Sequence, residues 1–82
     1  MVCVYIEVTV DLCNYIDDKL EIRLSDYHTV KKLVDIVWKQ KQLDRNIREG
    51  TWVRVVNKNN IIPGHQRLVD VGIMTGDRIE VL

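Results

Sequence analysis

The side chains best suited to nucleophilic or metal chemistry are few and scattered: Cys3 and Cys13, His28 and His65, and a single serine, Ser25. A reactive thiol pair or metal ligand set needs local spacing of the Cys-x-x-Cys kind, and neither the cysteines nor the isolated histidines provide it. On one extended segment, ten residues at ~3.3 Å each would hold Cys3 and Cys13 roughly 30 Å apart, beyond disulfide reach, so both are expected reduced and structural. Ser25 sits before an expected helix, where helix entry is the stronger role, and no pattern ties it to either histidine. Asp11, Asp17, Asp18 and Glu21 lie close in sequence, yet their spacing fits no EF-hand and reads as solvated loop acids. Gly64, Gly72 and Gly76 are scattered turn glycines rather than a phosphate-binding loop. No catalytic residue, cofactor or metal is expected, and the chain reads as a non-enzyme.

What remains is binding chemistry. The 82 residues (9.6 kDa) are room for one domain, 1–82. Twelve basic and twelve acidic residues cancel, and 46% hydrophobic with 29% charged residues is a globular composition, which argues against disorder and against a strongly basic nucleic-acid binder. Val and Ile supply 22 of 38 apolar residues while Ala and Phe are absent, so strands should dominate over a helix bundle. A domain of this size buries only about 60–65% of its unfolded surface, which leaves little margin for a deep cleft. Met1 to Val10 alternates apolar with polar residues and lacks a basic leader, so neither a signal peptide nor a membrane span is expected there. With no long apolar run and no lipidation motif, the expectation is a cytoplasmic protein without membrane insertion.

The elements follow from the apolar spacing. Val2, Val4, Ile6, Val8, Val10 and Leu12 hold every even position, a period of two that predicts a first strand with one core face. After the turn-prone Asn14 to Asp18, Leu20, Ile22 and Leu24 alternate as a second strand, joined to the first as a hairpin. Thr29 is a good N-cap, and Val30, Leu33, Val34, Val37 and Trp38 then form one face of an amphipathic helix. Thr51 to Val56 reads as a third strand, Asn57 to Asn60 as a turn, Ile61-Ile62 as a short fourth strand, Pro63-Gly64 and Gly76-Asp77 as turns, and Ile79 to Leu82 as the last strand. The order β-β-α-β-β-β predicts an α+β fold, a mixed five-stranded sheet packed on one helix in the β-grasp arrangement. Val4, Ile6, Leu33, Val37, Val55 and Val81 are expected to share its core.

If the even residues of the first strand face the helix, so do Val53, Val55, Ile79 and Val81, and the other residues define an open sheet face. That face would carry Tyr5, Glu7, Trp52, Arg54, Val56, Glu80 and Leu82. An aromatic, aliphatic and arginine cluster is what protein-binding surfaces favour, so Tyr5, Trp52, Arg54, Val56, Glu80 and Leu82 are the candidate protein-binding residues. The plainer alternative is that Trp52 and Tyr5 only shield the sheet. Arg54 opposite Glu80 is a candidate cross-strand pair. The outer helix side carries Lys31, Lys32, Asp35 and Lys39, followed by Lys41. With Lys31–Asp35 and Asp35–Lys39 spaced to pair, it reads as a solvated face, and its rival role is a patch for phosphate, RNA or an acidic partner.

The order and lengths of the elements resemble ubiquitin, including Arg67-Leu68-Val69-Asp70 with Ile73 ahead of the last strand. A closer resemblance, covering nearly the whole chain, is to the YukD/EsaB family, small ubiquitin-like proteins of bacterial type VII (WXG100, ESX) secretion loci. Leu24-Ser25-Asp26-Tyr27-His28 leading into Val30-Lys31-Lys32, then Arg48-Glu49-Gly50 with Trp52, Arg54-Val55-Val56-Asn57-Lys58, and the closing Gly76-Asp77-Arg78-Ile79-Glu80-Val81-Leu82 carry it. The resemblance implies a cytoplasmic accessory or regulatory component of the secretion machine that acts by protein contact and is recruited to the membrane complex. Its implied partners are components such as a membrane ATPase or a pseudokinase-like protein. The alternatives are a ubiquitin-like group carrier or modifier and an RNA-binding regulator using the lysine-rich helix side. A carrier needs a mobile C-terminal Gly-Gly, and Val81-Leu82 in its place sets the expectation that the protein is not conjugated to targets.

Overall fold

A computed structural model describes residues 4–44, 46–47 and 49–82. The elements run β1 (Tyr5–Asp11), β2 (Lys19–Ser25), α1 (Val30–Lys41), β3 (Val53–Val55), β4 (Asn60–Ile62) and β5 (Arg78–Val81). The five strands form one mixed sheet in the order β2-β1-β5-β3-β4, with β1 and β5 parallel and every other pair antiparallel. The predicted architecture is therefore the observed one. Val2 and Cys3, placed by the alternation on the first strand, and Arg48 lie outside the described residues.

The period of two does the expected work from Ile6 onward. Ile6, Val8, Val10 and Leu12 are buried, and Val53, Val55, Ile79 and Val81 are buried on the same side of the sheet. Leu33, Val34 and Val37 of α1 are fully buried against them. Thr29 caps the helix, its hydroxyl accepting from Lys32 N at 3.1 Å. Gln42 ends it in the left-handed region at φ +51°.

Two expectations need correction. Val4 is 53% exposed instead of lying in the core. It precedes β1, and its carbonyl accepts from Asp26 N at 2.9 Å, just past the end of β2, where the sheet no longer covers that side. The third strand starts at Val53 rather than Thr51, because Gly50 (φ +86°) and Thr51 (φ +49°) both take the left-handed region and swing the chain before pairing begins. A β-branched residue is strained there. Gly64 packs against this bend so closely that a Cβ on it would lie 2.8 Å from Thr51 Cβ and 3.0 Å from Gly50 O.

Candidate protein-binding surface

Register decides which open-face residues meet. Lys19 pairs with Asp11, Asp11 with Glu80, Glu80 with Arg54 and Arg54 with Ile61, so one residue from each strand forms a continuous row across the sheet. The expected Arg54–Glu80 pair is made: Arg54 Nε donates to Glu80 Oε1 at 3.0 Å and Nη2 donates to the same oxygen. Glu80 Oε2 accepts from Asn14 Nδ2 at 3.2 Å and from Cys13 Sγ at 3.4 Å. The hydrogen bond from Arg54 is the main reason the Glu80 carboxyl lies below the usual glutamate range; burial opposes it, and Cys13, Asn14 and the Arg54 charge add to it. The same arrangement raises the Cys13 thiol, through desolvation first and then the carboxylates of Glu80 and Asp11.

Past this row, the C-terminal end of the central strand β5 is clasped. Leu82 N donates to Trp52 O at 3.0 Å, Tyr15 Oη donates to Leu82 O at 2.7 Å, and Asn14 Nδ2 donates to Val81 O at 2.8 Å. Tyr15 in turn meets Trp38 edge to face, with ring centroids 4.8 Å apart. These hydrogen bonds tie Leu82, just past β5, to the residue before β3 and to the hairpin loop. Trp52 is 46% exposed and leans over Gly50, where a Cβ would fall 2.6 Å from its Nε1.

Trp52, Arg54, Val56, Glu80 and Leu82 are brought together on β3, β5 and their flanks. Tyr5 is not. It pairs with Ser25 at the start of β1, whereas β5 joins β1 only at Thr9, so some eight residues, or ~26 Å, of strand separate Tyr5 from the level of Leu82. Sequence alternation places a residue on a face and is silent about how far along that face it lies; the parallel register of β1 and β5 settles it. Tyr5 instead lies under the Arg23 guanidinium, 5.5 Å from its ring centroid. Ile61, not among the residues expected on this surface, joins it: it is 60% exposed beside Arg54 while Ile62 is buried. The alternation of that apolar pair was the available signal.

Asp77, read only as a turn residue, proves to be a buried hub. It accepts from Asn57 Nδ2 (3.0 Å), Lys58 Nζ (2.9 Å) and Met74 N (3.0 Å), and Asn57 Oδ1 accepts from Arg78 N at 3.0 Å. Burial pushes the Asp77 carboxyl up, but the hydrogen bonds from Asn57, Met74 N and Lys58 together with the Lys58 charge outweigh it, and the net shift is downward. This hub ties the β3–β4 turn to the entry of β5 and so fixes Val56 beside Arg78, whose carbonyl accepts from Val56 N at 2.9 Å. On the helix, neither Lys31–Asp35 nor Asp35–Lys39 closes among the described residues. Lys41 reaches Asp18 of the hairpin loop instead, and its hydrogen bond is the main cause of the lowered Asp18 carboxyl. Among the described residues no three His, Cys, Asp or Glu side chains gather as a metal site, and no helix is long and apolar enough to cross a membrane.

A mixed sheet in this strand order over one helix defines a ubiquitin-like β-grasp protein. The fold is similar to that of a designed protein based on ubiquitin (TM-score 0.73, 14% identity, 95% of this chain and 87% of that one). It is also similar to the ubiquitin of Caldiarchaeum subterraneum (TM-score 0.72, 17% identity, 95% and 91%). Sequence narrows the class. Residues 5–81 match the family described as WXG100 protein secretion system (Wss), protein YukD. The chain is also 47% identical over 78 residues to the ESX secretion system protein YukD of Bacillus subtilis (strain 168), covering 95% of this chain and 99% of that protein. The chain belongs to the YukD family. It is a ubiquitin-like accessory protein linked to type VII secretion, in a family named for a secretion system rather than for a reaction.

Proposed function

We propose that this protein, folded as one domain over 1–82, is a cytoplasmic docking component of a type VII secretion machine. Its open sheet face binds a component at the membrane, the membrane ATPase or a pseudokinase-like protein, and recruits the domain there. The observation that carries the reading is the juxtaposition of half-exposed Trp52, Val56 and Ile61 around the Arg54–Glu80 pair, on a sheet whose other face is taken up by α1. Large aromatic and arginine side chains contribute most per residue at interfaces, and large apolar groups left in water on a small domain mark a contact surface. The lysine-rich helix side is the rival surface.

The test is capture of the purified cytosolic part of the membrane ATPase, together with secretion of the WXG100 substrate in cells. Trp52→Ala and Ile61→Ala should each weaken capture by roughly 1–3 kcal/mol and lower secretion, with melting temperatures close to the parent because both side chains are half-exposed. Lys32→Ala with Lys39→Ala should change neither. Loss of capture in the lysine variant alone would transfer the site to the helix.

A further inference from the structure

The chemistry of the docked segment can be read from the cations on this face. Arg54 and Arg78 both project from the open side: Arg54 is level with Glu80, and Arg78 lies two residues before Glu80 on β5, adjoining Val56. Glu80 is the carboxylate between them, and both of its oxygens are occupied, Oε1 by Arg54 and Oε2 by Asn14 and Cys13. Of the five N–H groups of Arg54, those on Nη1 have no acceptor among the described residues, and the Arg78 guanidinium reaches no carboxylate there. The other open-face acids, Glu7, Asp11 and Glu21, belong to the hairpin strands, where Glu7 is paired in register with Arg23 and Asp11 with Lys19. Asp11, Glu21 and Lys19 line one side of a concavity whose other side is Val56 and Arg78, with no ion pair among the described residues formed across it. The β3–β5 half therefore carries two guanidinium groups against one saturated carboxylate, bordered by the exposed apolar side chains of Val56, Ile61 and Trp52.

Building on the docking face above, we propose that the bound partner segment presents an Asp or Glu carboxylate flanked by apolar side chains. The carboxylate is received between Arg54 and Arg78, and the apolar groups lie on Val56, Ile61 and Trp52. Glu80, whose side chain is only 13% exposed, is then a positioning residue: it holds the Arg54 fork with one face toward the partner and does not itself touch the segment. A basic segment would meet two cations there, and a wholly apolar one would desolvate the Arg78 guanidinium and the Nη1 side of Arg54 without an acceptor.

The experiment pans a displayed library of random dodecapeptides on the full chain and measures the enriched peptides by calorimetry. Variants are checked for a cooperative melt. Enriched peptides should carry an acid beside apolar residues, and changing that acid to its amide should weaken binding about tenfold or more, the scale of one charged hydrogen bond. The amide change should cost nothing further in Arg54→Gln with Arg78→Gln. Glu80→Ala should weaken binding to the parent protein but not to that double variant, a coupling that a general loss of stability would not produce. Peptides that lack an acid yet still depend on Trp52 and Ile61 would overturn this inference and leave the docking face standing. Peptides indifferent to Trp52→Ala and Ile61→Ala would sink the docking face itself, and a library that yields no binder counts against the acidic segment.

Discussion

Asp77 offers the most demanding check on the architecture behind the docking face. Its side chain is 5% exposed and takes three donors at 2.9–3.0 Å, one of them the backbone N–H of Met74. Asp77→Ala removes the acceptor of that N–H and of the Asn57 amide; both donors belong to exposed residues that regain water in part, so the loss is that of the hydrogen bonds themselves, about 0.5–1.5 kcal/mol each. Lys58 adds little to the loss, because its side chain is one-third exposed, keeps its bond to Gly72 O, and recovers water. The expected total is about 1–3 kcal/mol, a substantial share of the roughly 5–10 kcal/mol available to a domain of this size. Asp77→Asn, which keeps one acceptor oxygen, should lose about half as much. The pH dependence carries its own sign. A carboxyl whose folded pKa is depressed stabilises fully above its unfolded value near ~4 and stops doing so as pH falls through the lower folded value. The stability gap between the parent and Asp77→Asn should therefore be constant from about pH 7 to pH 5 and narrow toward pH 2. Glu80 and Asp18 are depressed too, but they are common to both proteins and cancel in the difference. Urea unfolding followed by the fluorescence of Trp38 and Trp52 reads the gap directly. A loss under ~0.5 kcal/mol for Asp77→Ala, or a gap that ignores pH, would refute the hub.

Val37→Asp places a carboxylate at a fully buried helix position facing the sheet and should cost on the order of 3 kcal/mol or more, abolishing the cooperative melt; an unchanged melt would contradict the helix orientation. Gly64→Ala should destabilise by about 1–3 kcal/mol, since its Cβ meets the backbone and Thr51 at the bend before β3, and a neutral result in urea unfolding would remove that close approach. The raised Cys13 thiol should be alkylated by iodoacetamide at about pH 8 more slowly than a thiol in a short unstructured peptide. Glu80→Gln should speed it, and equal rates in all three would contradict the Cys13–Glu80 contact.

Strand faces and the helix stripe were legible because burial imposes periods of 2 and 3.6 directly on the residue types: Val53 and Val55 went to the core, and Trp52 and Arg54 to the open side. Distances along a face were not legible. Tyr5 and Trp52 share a face but sit at opposite ends of it, since β5 pairs with β1 across almost the whole chain, Thr9 with Arg78 and Asp11 with Glu80, and so distant a register leaves no local pattern. Val4 obeyed the alternation and still lay outside the core, because the period marks a side of the strand and not where the packed layer stops. Asp77 was hidden for a related reason. An Asp after Gly in a turn is ordinary, and its partners Asn57 and Lys58 lie some 20 residues earlier.

If the proposed docking is right, the open sheet face, and not the helix, meets the secretion machine. Backbone amide NMR spectra recorded while the purified cytosolic part of the membrane ATPase is added would locate the contact residue by residue. Shifts or line broadening should concentrate at residues 52–56, 60–62 and 78–82, with the exposed amide positions of Val30–Lys41 little changed. Perturbations that instead follow Lys31, Lys32 and Lys39 along α1 and spare β3 to β5 would contradict it.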